Sequence, residues 1–454
     1  MRIDASSARR GWLALLLSLA LVRGLIYLSV MPPWQSPDET GHFEYAWLVA
    51  HLGRLPTASD LSVSFERELL GSLYEWRYGE FINRPLPEQM PVRMGDLPMQ
   101  IFARMSRTAP GRFSLSYLWM ALLIWPVRHQ DLVVQLYAAR LSSVLLQLGI
   151  IWLAWRILEQ VYPARAGPVV AMTALIVFIP QHTFINAAAG DGPMAELMAC
   201  LVLYGWVRVF CHGWSVWEAA WIPLCTLAGI WSKRTALFLL PLDAALMVWW
   251  FFRWRQWRWT WRHTISLAVG IAALVPVSWL LTHSWAGAEA VDYLRTALAP
   301  NATWTDPRGL TLGDALLASF ESFWAYFGWM AVPASSRWQG VILVFTVAAV
   351  LGWVLRSKEE APSWAVLMMG CACLTALAIF VWTMLLFPSE GYYQFQGRYL
   401  FPVVIPIAFL LVRGWMRVFA GQPSQVLVGA GVALIVLFDA WCMFGTVIPY
   451  FYFY

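Results

Sequence analysis

Charged residues are scarce in this 454-residue chain, where Asp, Glu, Lys and Arg together make up 13% of the sequence. Soluble domains carry about 25%. The chain also lacks a block of lysine and arginine of the kind that binds nucleic acid. Hydrophobic residues reach 60%, and mean hydropathy is +0.59. The composition excludes a soluble domain and indicates a multi-spanning membrane protein.

Cysteine is also sparse, and the six cysteines lie in or beside apolar runs. Their spacing fits neither a zinc motif nor a secreted disulfide framework, so we interpret them as small core residues. No small-residue cleavage site follows the first apolar segment, residues 12–30. We therefore expect this segment to be a retained first helix that starts in the cytoplasm, and not a signal peptide.

Apolar runs of membrane-crossing length recur along the whole chain. We predict an all-α integral membrane protein, residues 1–454, with about eleven transmembrane helices, since about 20 apolar residues cross a bilayer. The predicted spans are 12–30, 132–158, 168–185, 194–210, 217–231, 235–252, 264–281, 341–355, 364–387, 399–412 and 426–448.

Arginines and lysines near the span ends indicate the orientation. With the N-terminus in the cytoplasm, the short basic loops, such as "FFRWRQWRWTWRH" from residue 251, fall on the cytoplasmic side, as the positive-inside tendency requires. The outer side then receives two large segments, 32–131 with amphipathic helices and 282–340, together with the C-terminus. We predict a multi-pass protein of the cytoplasmic membrane whose chemistry lies on the outer face.

The stretch "PPWQSPDETGHFEYAW", residues 32–47, places acidic residues directly after the first span. One interpretation is a capping box with Ser36 at the N-cap and Glu39 at N3. A second is an active site, because Asp38, Glu39 and His42 can share one helical face. A carboxylate there could act as general base on an acceptor hydroxyl. Alternatively, Asp38 or Glu39 with His42 could hold a divalent cation.

A second acidic residue follows the third span, in "INAAAGDGPMAEL". Glycines on both sides of Asp191 suit a tight turn before a helix that begins near Pro193. The residue is then either a turn aspartate that caps the helix or a substrate-binding acid that faces the cluster of the first outer segment.

Basic residues occur where the positive-inside tendency disfavours them. Lys233 and Arg234 lie between two spans on the outer side; they either reach lipid headgroups or bind the phosphate of a lipid carrier. Arg398 begins a later span, with Gln396 and Gly397 before it. Its planar guanidinium suits phosphate oxygens, and the glycine permits close backbone approach. "SFESFWAYFGWM", residues 319–330, is an aromatic stretch that we interpret as an interfacial helix.

Several motifs together resemble one bacterial family. They are "PDExxHFxYA" after the first span, the Asn–Asp turn, "KRT" between two spans, "SFWAYFGWM" and "QGRYLFP". The chain resembles a family of predicted multi-spanning membrane proteins related to the C-type glycosyltransferases, which include protein O-mannosyltransferases and aminoarabinose transferases. The resemblance implies a fold of that type and a sugar donor linked to polyprenyl phosphate.

The resemblance also implies residue roles. The acid after the first span, Asp38 with its neighbour Glu39, would be the catalytic base, and Lys233, Arg234 and Arg398 would bind the donor phosphate. The acceptor would be an envelope glycan, lipid or protein. Physically, cations at the departing phosphate oxygen stabilise the charge that develops there.

Two alternative functions stay open at this point. A polysaccharide ligase or polymerase would move a whole glycan from its carrier, but its large outer loop tends to come late in the chain. A transporter or flippase of lipid-linked intermediates predicts buried charges at mid-membrane and broken helices. Charges near the middle of the predicted spans are few, essentially Arg23, Arg140 and Asp243, whereas the other notable acids and bases lie at the outer ends.

Overall fold

The computed structural model describes residues 5–60, 62–82, 84–98, 114–253, 312–355, 361–386, 396–419 and 424–453. In the first half the helices are α1 (Ala5–Val30), α2 (Glu39–Leu52), α3 (Val63–Glu75), α4 (Tyr78–Phe81), α5 (Leu115–Ile124), α6 (Leu132–Val161), α7 (Ala166–Phe178), α8 (Pro180–Asn186), α9 (Gly192–His212), α10 (Val216–Ser232) and α11 (Leu239–Arg253). In the second half they are α12 (Leu312–Trp324), α13 (Ser336–Gly352), α14 (Ser363–Leu386), α15 (Val404–Val418), α16 (Ser424–Cys442) and α17 (Ile448–Tyr452).

Shorter turns join these helices. Two of them matter for the site, the 3-10 segments Arg234–Phe238 before α11 and Gly397–Val403 before α15. The described residues contain a single antiparallel ladder, β1 (Tyr326–Phe327) paired with β2 (Val332–Pro333). The predicted interfacial helix over 319–330 therefore stops at Trp324, because Gly328 and Met330 adopt left-handed backbone angles that turn the chain.

The helical membrane architecture is confirmed. Within the described residues, seven helices are long and apolar enough to cross a membrane, or eight if one bent pair counts as a span. The predicted spans 217–231 and 341–355 correspond to helices of 17 residues, α10 and α13. The predicted span 264–281 lies outside the described residues. The total of eleven therefore stays a prediction.

The predicted third span, 168–185, is broken. Helices α7 and α8 meet at Ile179–Pro180 with a bend of 62°. Proline has no N–H to donate and its ring clashes with the preceding turn. The short helix α8 therefore leaves the direction of α7 and brings His182 and Asn186 into contact with Glu196 of α9.

A buried ion pair and a half-buried aspartate link different helices. Arg23 of α1 binds both carboxylate oxygens of Asp439 in α16 and donates to the Thr183 hydroxyl at 2.8 Å. Asp243 accepts hydrogen bonds from Trp206 and Thr226 at 2.7 and 2.6 Å. Both acids thus have donors within the protein, which compensates the penalty of burying charge at membrane depth.

Helix α2 begins later than predicted. Its first residue is Glu39, and Asp38 is the N-cap residue with no side-chain capping bond. The capping box with Ser36 at the N-cap is therefore wrong. The physical reason is that the backbone of Asp38 is left-handed, with φ 62° and ψ 7°, and that both acidic side chains bind arginines instead of the helix terminus.

Candidate active site at one end of the helix bundle

A cleft of roughly 510 Å³, including its open mouth, lies where α8 and α10 end and where α2, α9 and α15 begin. Helix ends supply its walls, so backbone groups without helical partners and polar side chains collect there. The polar side chains that line it are His42, Asp191, Glu196, Lys233, Thr235 and Arg398.

Asp38 and Arg398 form the first ion pair of this region. Nη2 of Arg398 donates to Oδ2 of Asp38 at 2.9 Å, and the two side chains are 10% and 26% exposed. Nε of Arg398 is buried and has no hydrogen-bond partner among the described residues. A buried guanidinium with an unused donor beside a cleft is suited to bind an additional anion. The left-handed backbone of Asp38 is tolerated by aspartate but is uncommon, so tertiary contacts hold this carboxylate in place.

Asp191 and Lys233 form the second ion pair. Nζ of Lys233 donates to Oδ1 of Asp191 at 2.6 Å, and Nε2 of His42 lies 3.7 Å from the same oxygen. Asp191 does occupy the N-cap position of α9, but its side chain makes no capping bond. Of the two interpretations of this residue, the structure favours an acid engaged in the cleft.

Tyr399 lies beside both cations. The guanidinium carbon of Arg398 is 5.3 Å from the centre of its ring, and Nζ of Lys233 is 5.7 Å from the same point. The negative face of an aromatic ring attracts cations. Tyr399 therefore attracts both positive charges, although their carboxylate partners come from different elements.

Glu39 is placed differently from Asp38. It is fully buried and forms an ion pair with Arg140, in which Nε and Nη2 donate to its two oxygens at 2.8 and 2.7 Å. The backbone N–H groups of Trp34 and Ala189 donate to the same carboxylate, each at 3.1 Å. With four hydrogen bonds accepted, this carboxylate links the start of α2 to α6 and to the segment before α9.

His42 also lines the cleft. Its Nδ1 and the Tyr117 hydroxyl are 2.9 Å apart, and the ring is 9% exposed. Asp38 faces Arg398, Glu39 faces Arg140, and His42 faces Asp191. The three side chains therefore diverge, and no group of three or more His, Cys, Asp or Glu side chains suited to a metal ion occurs in the described part of the chain.

Glu196 is a cleft residue that the sequence analysis did not single out. Its Oε1 lies 2.6 Å from Nε2 of His182, and Oε2 accepts from Asn186 Nδ2 at 3.4 Å. Glu196 is 2% exposed and His182 is fully buried. The available signal was an acidic residue inside a predicted span, 194–210, since charge within a span is rare and usually functional.

Five predicted positions are not among the residues that line the cleft. Two of them are Asp38, which is paired with the lining residue Arg398, and Glu39, which is paired with Arg140. Arg234 has an exposed side chain and begins the 3-10 segment next to Lys233. Gln396 precedes Arg398 and contributes its backbone carbonyl, which accepts from Tyr399 N–H at 3.1 Å. Gly397 is in tight contact with α12, because a Cβ there would collide with Phe323 N and Ser319 O. The glycine therefore permits contact with a helix, whereas contact with a ligand was expected.

Comparison with known proteins gives one family and one solved structure. A crystal structure titled as ArnT from Cupriavidus metallidurans bound to undecaprenyl phosphate is 14% identical, with a TM-score of 0.49, and covers 97% of this chain and 74% of its own. No curated protein matches the chain. Residues 21–407 match the family model described as "Predicted membrane protein (DUF2142)". Because this match covers most of the chain and agrees with the helical spans, the protein belongs to the DUF2142 family of predicted membrane proteins.

Proposed function

We propose that this protein transfers a sugar from a polyprenyl-phosphate carrier to an envelope glycan, lipid or protein on the outer face of the cytoplasmic membrane. The observation that carries the proposal is that two cations, Arg398 and Lys233, line one cleft beside Tyr399 and that each is paired with a carboxylate. The motif resemblance to C-type glycosyltransferases supports the same assignment.

The two cations bind the phosphate of the donor. Nε of Arg398 is a buried donor without a hydrogen-bond partner among the described residues, and Lys233 is 20% exposed. Both residues lie at helix ends, and in the proposal these ends lie at headgroup depth, where a carrier lipid presents its phosphate. As the bond between the anomeric carbon and the phosphate oxygen breaks, the leaving oxygen gains negative charge. Fixed cations in a partly dry site stabilise this charge.

Asp38 is the general base of the proposal. The acceptor hydroxyl oxygen attacks the anomeric carbon, its proton passes to Asp38, and the electron pair of the broken bond leaves with the carrier phosphate. A single in-line displacement inverts the anomeric centre. Glu39 acts as a positioning residue, because Arg140 and two backbone N–H groups already occupy its oxygens.

Purified full-length protein in nanodiscs, given radiolabelled polyprenyl-phosphate sugars, tests this function. We expect Asp38→Asn to lower turnover by about 10²–10⁴-fold, the usual contribution of a general base, while binding of unglycosylated polyprenyl phosphate is preserved. Arg398→Ala should weaken that binding. Arg54→Ala, in an exposed pair with Asp60, serves as the matched control. Equal turnover by all three variants and wild type removes Asp38 and Arg398 from the mechanism, and a product of retained configuration excludes single displacement.

A second function, transport of lipid-linked intermediates, is favoured by the break of 62° between α7 and α8 and by the buried Arg23–Asp439 pair. Broken helices and mid-membrane charges are features of secondary transporters. The pair, however, is saturated by Thr183 and Tyr27. Movement of fluorescent polyprenyl phosphate across sealed vesicles, with no transfer product, would replace the enzymatic proposal with this one.

A further inference from the structure

Arg413 is a buried arginine far from the cleft. It lies in the last turns of α15, whereas Arg398 lies before the first residue of that helix. Arg413 is 6% exposed, and its Nε and Nη1 are buried without a hydrogen-bond partner. Among the described residues no carboxylate pairs with it. A buried charge without a counter-ion is strongly disfavoured. An anion bound to this guanidinium would lower the free-energy cost of its burial.

A second arginine, Arg417, lies against the same tryptophan as Arg413. The guanidinium carbons of Arg413 and Arg417 lie 5.4 and 4.6 Å from the centre of the Trp353 ring. Nη1 of Arg417 donates to the Trp353 carbonyl at 3.3 Å, and the indole N–H donates to Leu410 O at 3.0 Å. Both guanidinium groups therefore contact the same indole ring.

The backbone holds these groups rigidly. Helices α13 and α15 cross in close contact, because a Cβ on Gly352 would collide with Gly414 O and one on Gly414 would collide with Ala349 O. Trp353 follows directly after α13. The positions of the two arginines relative to the indole are therefore set by main-chain packing and not by flexible loops.

The surface beside this site is apolar. Val350 and Leu351 in the last turn of α13 and Val354 just after it are 60%, 59% and 83% exposed. In a membrane such side chains face acyl chains, and an interfacial tryptophan marks the headgroup level. The cationic site is thus adjacent to lipid, and basic pockets between membrane helices are suited to anionic headgroups.

We propose that Arg413, with Arg417 and Trp353, forms a binding site for the phosphate headgroup of an anionic phospholipid at the membrane face opposite the cleft. The phosphate oxygens accept from Nε and Nη1 of Arg413, and an acyl chain lies along the exposed face of α13. The site is independent of the proposed transferase activity.

Thermal unfolding of the full-length protein in nanodiscs tests the site. Replacing phosphatidylcholine with phosphatidylglycerol should raise the midpoint of wild type by about 2 °C or more, since a ligand of the native state stabilises it. Arg413→Gln should abolish this shift and should be no less stable than wild type in phosphatidylcholine, because it removes an uncompensated charge. Arg156→Gln, an exposed arginine paired with Glu159, should keep the full shift.

Native mass spectrometry provides a second measurement should Arg413→Gln fold poorly. Wild type should retain phosphatidylglycerol more strongly than Arg413→Lys does, because lysine lacks the planar fork. If inorganic phosphate in phosphatidylcholine discs raises the thermal midpoint equally, the anion site binds soluble phosphate. That result would overturn the proposal of a lipid ligand. Absence of any shift with either ligand, or destabilisation by Arg413→Gln that is equal in both lipids, overturns the site altogether.

Discussion

Asp191 and Lys233 form an ion pair across 42 positions of the chain, with 2.6 Å between Oδ1 and Nζ. The pair joins the residue before α9 to the residue after α10. It thereby fixes the distance between two helix ends that flank the cleft, and the side chain of Asp191 is only 7% exposed.

Removal of the lysine should destabilise this end of the bundle. Lys233→Met leaves a nearly buried carboxylate without its lysine, and a hydrogen bond to a charged group contributes about 1.5–3 kcal/mol. We expect a loss of that order in the free energy of unfolding. The double variant Asp191→Asn/Lys233→Met should lose less than the sum of the single variants. Thermal unfolding in nanodiscs measures all three, and strictly additive losses would contradict the coupling.

Loss of the Arg140–Glu39 pair should destabilise the protein more than loss of the Asp191–Lys233 pair, since both side chains are fully buried. Breaking a buried pair by removal of one partner costs about 3–5 kcal/mol. Arg140→Met should therefore lower the thermal midpoint sharply and reduce the yield of monodisperse protein in size-exclusion chromatography. The exposed pair of Arg54 and Asp60 provides the control, Arg54→Gln, which should behave as wild type. An unaltered midpoint for Arg140→Met would refute this role.

Gly397 should tolerate no side chain. A Cβ would collide with backbone atoms of Phe323 and Ser319, which cannot rotate away, and overpacking of this kind costs about 1–3 kcal/mol. We expect Gly397→Ala to lower the thermal midpoint. Gly370 is the matched control, because a Cβ there meets nothing within 4 Å. Gly370→Ala in α14 should be neutral or stabilising, and equal effects of the two substitutions would disprove the argument.

Glu196 should influence anion binding at the cleft. Its carboxylate lines the same cleft as Lys233 and Arg398 and repels a bound phosphate. Glu196→Gln keeps the shape and removes the charge, so polyprenyl phosphate should bind more tightly, on the order of threefold. Glu66 of α3 is also a buried glutamate. The control variant Glu66→Gln should leave the affinity unchanged. Native mass spectrometry gives both affinities, and weaker binding by Glu196→Gln would show that its charge supports the site.

The exposed turn before α3 should respond to acid. The hydrogen bond from Arg54, followed by those from the Thr57 backbone and side chain, holds the pKa of Asp60 well below its usual range. A carboxyl with a depressed native pKa stabilises the fold above its unfolded value of about 3.9 and loses that contribution as pH falls through the native pKa. Asp60→Asn should thus be less stable than wild type at pH 7, and the difference should shrink below about pH 4. Limited proteolysis of residues 53–62 across this pH range measures the difference in stability. A difference that does not change with pH would show that ionisation of the Asp60 carboxylate does not contribute.

The membrane class and the gathering of charges at helix ends could be predicted from the sequence. Charge within hydrocarbon is expensive, so acids and bases that stay in such a chain collect where spans end. This rule placed Asp38, Asp191, Lys233 and Arg398 on one side, and the structure brings them to one region.

The pairing of these charges could not be predicted. Arg398 lies 360 positions from Asp38, and Arg140 lies 101 positions from Glu39. No local period relates such residues, so only the packing of whole helices decides which carboxylate meets which cation. The separate environments of Asp38 and Glu39, which are neighbours in the chain, follow from the same packing.

The sequence contained signals for two local features, but the residues around them led to a different prediction. The break before α8 lies at Pro180, yet apolar residues on both sides made 168–185 look like one span. Gly397 was expected to face a ligand, but the tight contact is with α12. A proline and a glycine each mark a backbone constraint, while the partner that imposes it comes from elsewhere in the chain.

The pairing of Arg23 with Asp439 has a consequence for biogenesis. Arg23 enters the membrane with the first helix, whereas its counter-ion is synthesised 416 positions later. During insertion the arginine must face lipid or translocon water, at about 2.5–3.5 kcal/mol on insertion scales. Ribosome-bound intermediates that lack α16 should therefore keep α1 accessible to the insertion machinery. Only the release of α16, which carries Asp439, completes the anchoring of α1 in the bundle.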